Sequence, residues 1–404
     1  MKRILKFIIA AALVWGACYF ANVTLNTIAH NNLLGGDLRK ARSKIKFTIP
    51  FEPLYYIHRA RMGRETLFAA FDETDRLMRT RLRWVMQTGA PVLSSPLLWE
   101  DTVYVGNNGK KLFKLNAGNG KLIWTYEAGG SFETKPLLAG GLLFAAAHDG
   151  LHAIDPETGS RAWFYKSRWA ESSPAFFKGM VLMGEDDGKM TALDAKTGKV
   201  RWQYGTAGPV ESAPAAAGGR VYFGCNRGMI YAVDAARGYE VWTHPVKGRI
   251  EGSPLVVDGA VVAGCTGGTV YAFDAELGTL LWEKELGGSI EGGAAGDGKK
   301  IIVGTKKGRV FALSGADGAI IWMNEETGPV ETTPAIYGDT VYIGCHYGFL
   351  TALDISTGAR KWRFLTGWDI DESSPETGPD SIFIGSTDGR IYSIGIDREE
   401  TDIE

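Results

Sequence analysis

Cysteine is scarce, with four in 404 residues, and no two of them are adjacent or set in a Cys-x-x-Cys pair. The six histidines are scattered, so the sequence spells out no zinc or other metal motif, and no metal ligand is assigned from it. An excess of one charge is also missing: 44 Lys and Arg stand against 46 Asp and Glu, a net charge of −2. That balance offers no general attraction to a polyanion, and no nucleic-acid partner is expected. The chain has no phosphate-binding loop, no dinucleotide-binding glycine pattern and no nucleophile elbow.

Glycine and tryptophan are plentiful. With 53 Gly, 12 Trp and 45% hydrophobic residues, the composition fits a turn-rich β protein with a sizeable core. The stretch from Ala192 to Trp202 reads strand, tight turn, strand. Asp194 can bond its own turn backbone, and Gly198 can take the positive-φ position at little steric cost. The stretch recurs. Tryptophans fall at Trp84, Trp124, Trp163, Trp202, Trp242, Trp282, Trp322 and Trp362, spaced by 39 or 40 residues. Four residues before each stands a Gly, except that Thr80 precedes Trp84. A Pro opens each unit, as at Pro174 and Pro214, with Ala294 the exception.

Self-similarity at this period marks stacked supersecondary units. One unit is expected to hold four short antiparallel strands, such as Ser212–Ala216, Arg220–Gly224, Met229–Val233 and Tyr239–His244. A sheet of this size cannot bury both faces alone, so the units must stack radially as the blades of an all-β propeller. The last unit, Ser373 to Ile394, has three strands and no docking Trp, whereas Trp84 has no strands before it. Joining them gives an eighth blade whose outer strand comes from the N-terminal side and leaves no open edge. The propeller is thus expected over 81–396.

The pattern Ala-x-Asp-x-x-Thr-Gly-x-x-x-Trp, intact at Ala153–Trp163, Ala192–Trp202 and Ala352–Trp362, resembles the tryptophan-docking motif of pyrroloquinoline-quinone (PQQ)-like propellers. The resemblance implies that each Trp packs against the neighbouring blade. A WD-repeat propeller is disfavoured, since Trp-Asp occurs only at Trp368-Asp369. Family members with dehydrogenase activity carry long insertions that cover the cofactor and supply an Asp base, calcium ligands and an adjacent Cys pair. Here the units keep to 39 or 40 residues and show no means of building such a lid. No catalytic residue and no cofactor is therefore expected, PQQ with calcium included. Within the family the chain resembles the BamB branch in length, compact blades and N-terminal export signal. That resemblance implies a non-catalytic scaffold binding protein partners of the cell envelope in outer-membrane protein assembly. The alternative is a reduced PQQ-dependent dehydrogenase.

Lys2, Arg3 and Lys6 precede an apolar run from Phe7 that extends through Leu25. Residues 1–6 read as a cytoplasmic segment and 7–25 as a transmembrane signal anchor, placing the propeller in the periplasm or another extracytoplasmic space. A lipoprotein signal ending at Cys18 and a cleaved signal are the competing readings. Residues 26–80 form a spacer with a short helix between Gly63 and Met78, and 397–404 an acidic tail.

Three residues before the opening Pro, or before Ala294, stands a Glu: Glu133, Glu171, Glu211, Glu251, Glu291, Glu331 or Glu372, with Leu93 the gap. Propeller symmetry would set seven carboxylates around the axial channel, where like charges raise some pKa values unless donors or cations compensate. They read as acceptors for backbone N–H groups at each blade's start, or else as an acidic funnel for a cation or basic segment. Trp169 and Trp368 fall outside the docking register, beside Arg168 and Asp369. They are candidate partner-binding anchors if exposed, and filler under adjacent loops if not. Cys225, Cys265 and Cys345 share one slot in three blades. Equivalent atoms of adjacent blades lie on the order of 10 Å apart, too far for a disulfide, so they read as buried thiols.

Overall fold

Short apolar runs broken by Gly, Asp and Asn turns fold into thirty-two strands, four to a sheet, in eight sheets. The computed structural model describes residues 81–325 and 327–396. The cytoplasmic segment, anchor, spacer and acidic tail expected from the sequence lie outside these residues.

Each sheet is an antiparallel meander. In the fourth blade, Ala215–Ala217, Arg220–Cys225, Met229–Asp234 and Glu240–Pro245 follow one another from the axis outwards. The innermost strand is shorter than expected. It starts at Ala215 because Ser212 is held by its side chain instead: its Oγ accepts the Gly224 N–H at 2.8 Å and donates to the Gly224 carbonyl at 3.1 Å. Pro214, which has no N–H to give to a ladder, then opens the strand.

The eighth blade closes as expected. Leu82–Gln87 pairs with Arg390–Gly395 on the outside of Ser381–Ser386 and Glu376–Thr377. Trp84 then reaches the first blade, its Nε1–H donating to the Ala117 carbonyl at 2.7 Å. Near the axis, Lys135 of the second blade meets Glu376 of the eighth at 2.6 Å, and Glu376 also accepts the Leu98 N–H of the first at 3.2 Å.

The docking motif has a physical reading at each position. Asp194 accepts the N–H groups of Lys196 and Thr197 at 3.2 and 2.9 Å, and Gly198 turns the chain at φ 69°. Gly198 also seats the ring of Trp163 from the preceding blade, with which any Cβ at this position would collide at 2.7 Å. Ala192 is small because Trp202 lies directly across the ladder from it. The residue before each docking Trp is a bulge, Arg201 in this blade and Val241 in the next. Such a bulge twists the strand locally and re-aims the side chain that follows it. The Trp202 ring is thereby turned onto the next blade, where Nε1–H donates to the Ala235 carbonyl at 3.1 Å. Trp362 faces the blade without a Gly turn, and the Arg81 guanidinium covers its ring at 4.4 Å.

The core lies between neighbouring blades. Leu182, Met190 and Trp202 of the third, for example, pack on Val221, Phe223 and Tyr231 of the fourth. Cys225, Cys265 and Cys345 are buried and unbridged within it.

Candidate functional site

Each ring glutamate is placed by the segment that leads into an innermost strand. Beside it runs a belt of hydroxyls that ties blade to blade at the axis. Ser94 Oγ donates to the Thr134 carbonyl at 2.7 Å, Ser172 Oγ to the Ser212 carbonyl at 3.0 Å, and Ser373 Oγ to the Ser94 carbonyl at 3.0 Å across the closure. Held at one level, all seven glutamates line a single axial cavity of about 580 Å³. Ser95, Ser173, Ser253, Thr333 and Ser374 line it beyond them. Leu93 leaves the ring one carboxylate short.

The expectation that these glutamates accept backbone N–H groups is not met. Their partners are side chains, mostly from one repeated slot: the second residue after the Gly at or near the end of the second strand, or after Ala146 in the second blade. In this slot stand His148, Asn226, Lys306 and His346. Asn226 Nδ2 donates to Glu211. Lys306 Nζ bridges Glu291 at 2.9 Å and Glu331 at 2.6 Å. His346 reaches Glu331 with Nε2 at 2.6 Å and Asp371 with Nδ1 at 3.1 Å. Glu251 pairs instead with Arg249, at 3.0 Å. The backbone N–H groups are already used in turns and in the hydroxyl belt, which leaves the carboxylates to the slot side chains.

Compensation around the ring is uneven. Burial alone would raise Glu331, but hydrogen bonds from His346 and Lys306 outweigh it and hold this carboxyl below its ordinary value. The Glu331 hydrogen bond correspondingly raises His346. Burial pushes Glu171 and Glu251 up, helped by their neighbours Glu211 and Glu291 respectively. Glu372 is pushed up to about 7, by burial first and then by Glu133, Glu171, Glu331 and Asp371. A near-neutral chain therefore carries a concentrated negative potential at its axis.

No cluster of metal-binding side chains was expected from the scattered histidines. Among the described residues the fold makes two, Glu133 with His148 and Glu171, and His346 with Asp369 and Asp371. Residues far apart in sequence meet because the ring level and the slot level coincide at neighbouring blades.

Trp169 and Trp368 belong to the connections that end in Glu171 and Glu372. They are 53% and 50% exposed, so adjacent loops do not bury them. The Trp169 ring packs against His148, tilted by 38° with ring centroids 4.5 Å apart, and its backbone N–H donates to the His148 carbonyl at 3.0 Å. Arg168 beside it is exposed and Asp369 is half-buried. The slot residues are the part of the site that sequence reasoning missed. Their signal was a polar side chain two places beyond the second strand's Gly, visible only once the repeats are aligned.

Comparison with known proteins bears on this geometry. A sequence-family model described as outer membrane protein assembly factor BamB matches residues 64–213, 205–288 and 266–398. The quinohemoprotein alcohol dehydrogenase of Comamonas testosteroni is 33% identical over 121 residues, which span 26% of this chain and 17% of the dehydrogenase. BamB of Shewanella oneidensis is 25% identical over 128 residues, which span 30% of this chain and 32% of that protein. The matches thus cover well under two thirds of either relative. The crystal structure of BamB from Moraxella catarrhalis superposes with a TM-score of 0.69 at 20% identity, over 78% of this chain and 99% of the other. The chain belongs to the PQQ-like β-propeller family described as outer membrane protein assembly factor BamB.

Proposed function

We propose that this protein is a non-catalytic scaffold of the cell envelope. In this reading it is anchored in the membrane by its N-terminus, holds its propeller in the periplasm, and engages protein partners in BamB-like assembly of outer-membrane proteins. The observation that carries the reading is an acidic axial cavity together with two half-exposed tryptophans, Trp169 and Trp368, on the connections that lead into its glutamates Glu171 and Glu372. Exposed Trp beside charged residues is a common anchor of protein interfaces, and an acidic mouth favours a partner with basic side chains.

Affinity capture from solubilised membranes tests it. Replacing Trp169 and Trp368 together by Ala is expected to weaken capture of the partner while leaving thermal stability nearly unchanged, since both side chains are half in solvent. Undiminished capture would remove this face from consideration.

Likeness to a quinohemoprotein dehydrogenase favours a second reading, a reduced quinoprotein enzyme. The cavity suits that cofactor poorly. PQQ is a planar tricarboxylate, and seven glutamates would meet it with like charge. The basic side chains Lys135, which lines the cavity, and Arg249 and Lys306 beside the ring are already paired with glutamates. Among the described residues, none of those lining the cavity is aromatic, so no ring stands ready to stack on the quinone. Stoichiometric binding of added PQQ with calcium, together with reduction of an artificial electron acceptor, would favour the enzyme over the scaffold.

A further inference from the structure

His148 occupies the slot that holds Lys306 and His346 at two other junctions of the ring, yet it is wired differently. Its Nε2 points between two carboxylates, 3.2 Å from Glu133 and 3.8 Å from Glu171. That nitrogen is buried and, like Nε2 of His346, makes no hydrogen bond of proper geometry; what sets His148 apart is that both carboxylates face this one nitrogen. The other nitrogen, Nδ1, lies 3.0 Å from Ser131 Oγ. Trp169 packs on one face of the ring at 4.5 Å, so the imidazole is fixed in orientation.

Two carboxylates facing one imidazole nitrogen are stable only with a cation among them. At the Lys306 and His346 junctions the side chain itself takes that place. Lys306 bridges its two glutamates, and His346 sets a nitrogen on each of two carboxylates. At His148 one nitrogen is engaged by a hydroxyl. An outer hydrogen bond of this kind, fixing the tautomer and orientation, is the usual support of a metal-ligating histidine.

We propose that Glu133, His148 and Glu171 bind a divalent transition-metal ion such as zinc. One imidazole nitrogen and two carboxylate oxygens serve as ligands, and water completes the coordination. The three donor atoms lie within 4.8 Å of one another. Zinc bonds of about 2.0–2.2 Å require them to draw somewhat closer. Glu171, with 36% of its side chain exposed, has room to move. A nitrogen and few oxygens suit zinc or its first-row neighbours better than calcium, which takes more oxygen ligands. The ion would sit at the rim beside Trp169, where it fixes the connection carrying that side chain. This proposal is independent of the scaffold reading.

The test is calorimetric titration of zinc chloride into chelator-treated, detergent-solubilised full chain, with cobalt as a spectroscopic substitute. The expected result is one ion per chain, a visible cobalt absorption band, and no competition from excess calcium. His148→Ala and Glu133→Gln should each abolish uptake and the cobalt band. Ser131→Ala should weaken affinity by roughly 10-fold or more, as for other outer-shell partners. His346→Ala should bind zinc as the parent does. Melting curves of every variant verify folding, and His148→Gln takes the place of any alanine variant that fails to fold. Absence of uptake by the parent would overturn the proposal. Uptake that survives His148→Ala, or that is lost only in His346→Ala, would place the ion elsewhere and overturn it equally.

Discussion

Trp202 is 8% exposed, packs between two blades and holds the Ala235 carbonyl through its indole N–H. Its replacement by Ala leaves a large interblade cavity and is expected to destabilise the propeller by about 3–5 kcal/mol, read from urea denaturation. Gly238→Ala attacks the same joint from the other side. The residue sits at φ 74°, and an added Cβ would lie 2.6 Å from the Trp202 ring. Its cost should exceed the ~1 kcal/mol of an ordinary Gly-to-Ala change at positive φ. A denaturation midpoint close to the parent's would show that the blades slide apart to admit the methyl. The Gly was legible in the sequence as a turn residue of its own blade. That it seats the Trp of the preceding blade was not, because the two belong to different copies of the repeat. Likewise the bulge at Arg201 left no mark in composition, although it is what points the indole outwards.

At the scale of the strand, the most economical device is the hydroxyl that precedes six of the eight innermost strands, Gly252 and Gly292 standing in its place in the other two. Ser212 satisfies both the N–H and the carbonyl of Gly224 from a position with no ladder of its own. Ser212→Ala would leave the buried Gly224 N–H without a partner and is expected to cost about 1–3 kcal/mol. Ser212→Thr should recover most of it, since Thr134 and Thr332 play part of the same role in their blades, donating to the carbonyls of Ala146 and Gly344. Thermal melts of the two variants side by side check this, and equal losses would show that burial rather than hydrogen bonding fixes the residue. The serines were present in the repeat as Glu-Ser-Ala-Pro and its relatives. Ser212 read as the first residue of the innermost strand, because a side chain that replaces a strand's backbone bonds has no periodicity to announce it. Strand count and ring closure were legible for the opposite reason: both follow from counting repeats, and Leu82–Gln87 had no other sheet to join.

The whole molecule gathers its charge. A chain of net charge −2 brings seven glutamates to one axis. The spacing of the sequence predicted that ring, but not which side chains would compensate it, since the slot varies among His, Asn, Lys, Asp and Thr without a shared motif. The uneven compensation has a consequence for pH. Glu372 rises from an ordinary 4.5 to about 7, through burial first and then through Glu133 and Glu171. The folded state therefore keeps a proton that the unfolded chain has lost, and stability falls as pH rises through that window. His346 acts in the same sense. Raised chiefly by its bond to Glu331, it contributes fully below the ordinary 6.5, and that contribution is lost as pH rises through its folded value. Glu331, held low, supplies stability above 4.5 that is lost only under more acid conditions. Chelator-treated protein should thus melt at a lower temperature at pH 8 than at pH 5. Glu372→Gln isolates the largest contributor. It mimics the protonated carboxyl, so it should match the parent at pH 5 and exceed it at pH 8, by up to about 3 kcal/mol at 1.36 kcal/mol per pKa unit. A variant that melts with the parent at both pH values would mean that Glu372 ionises without cost, with the ring opening to let water reach it.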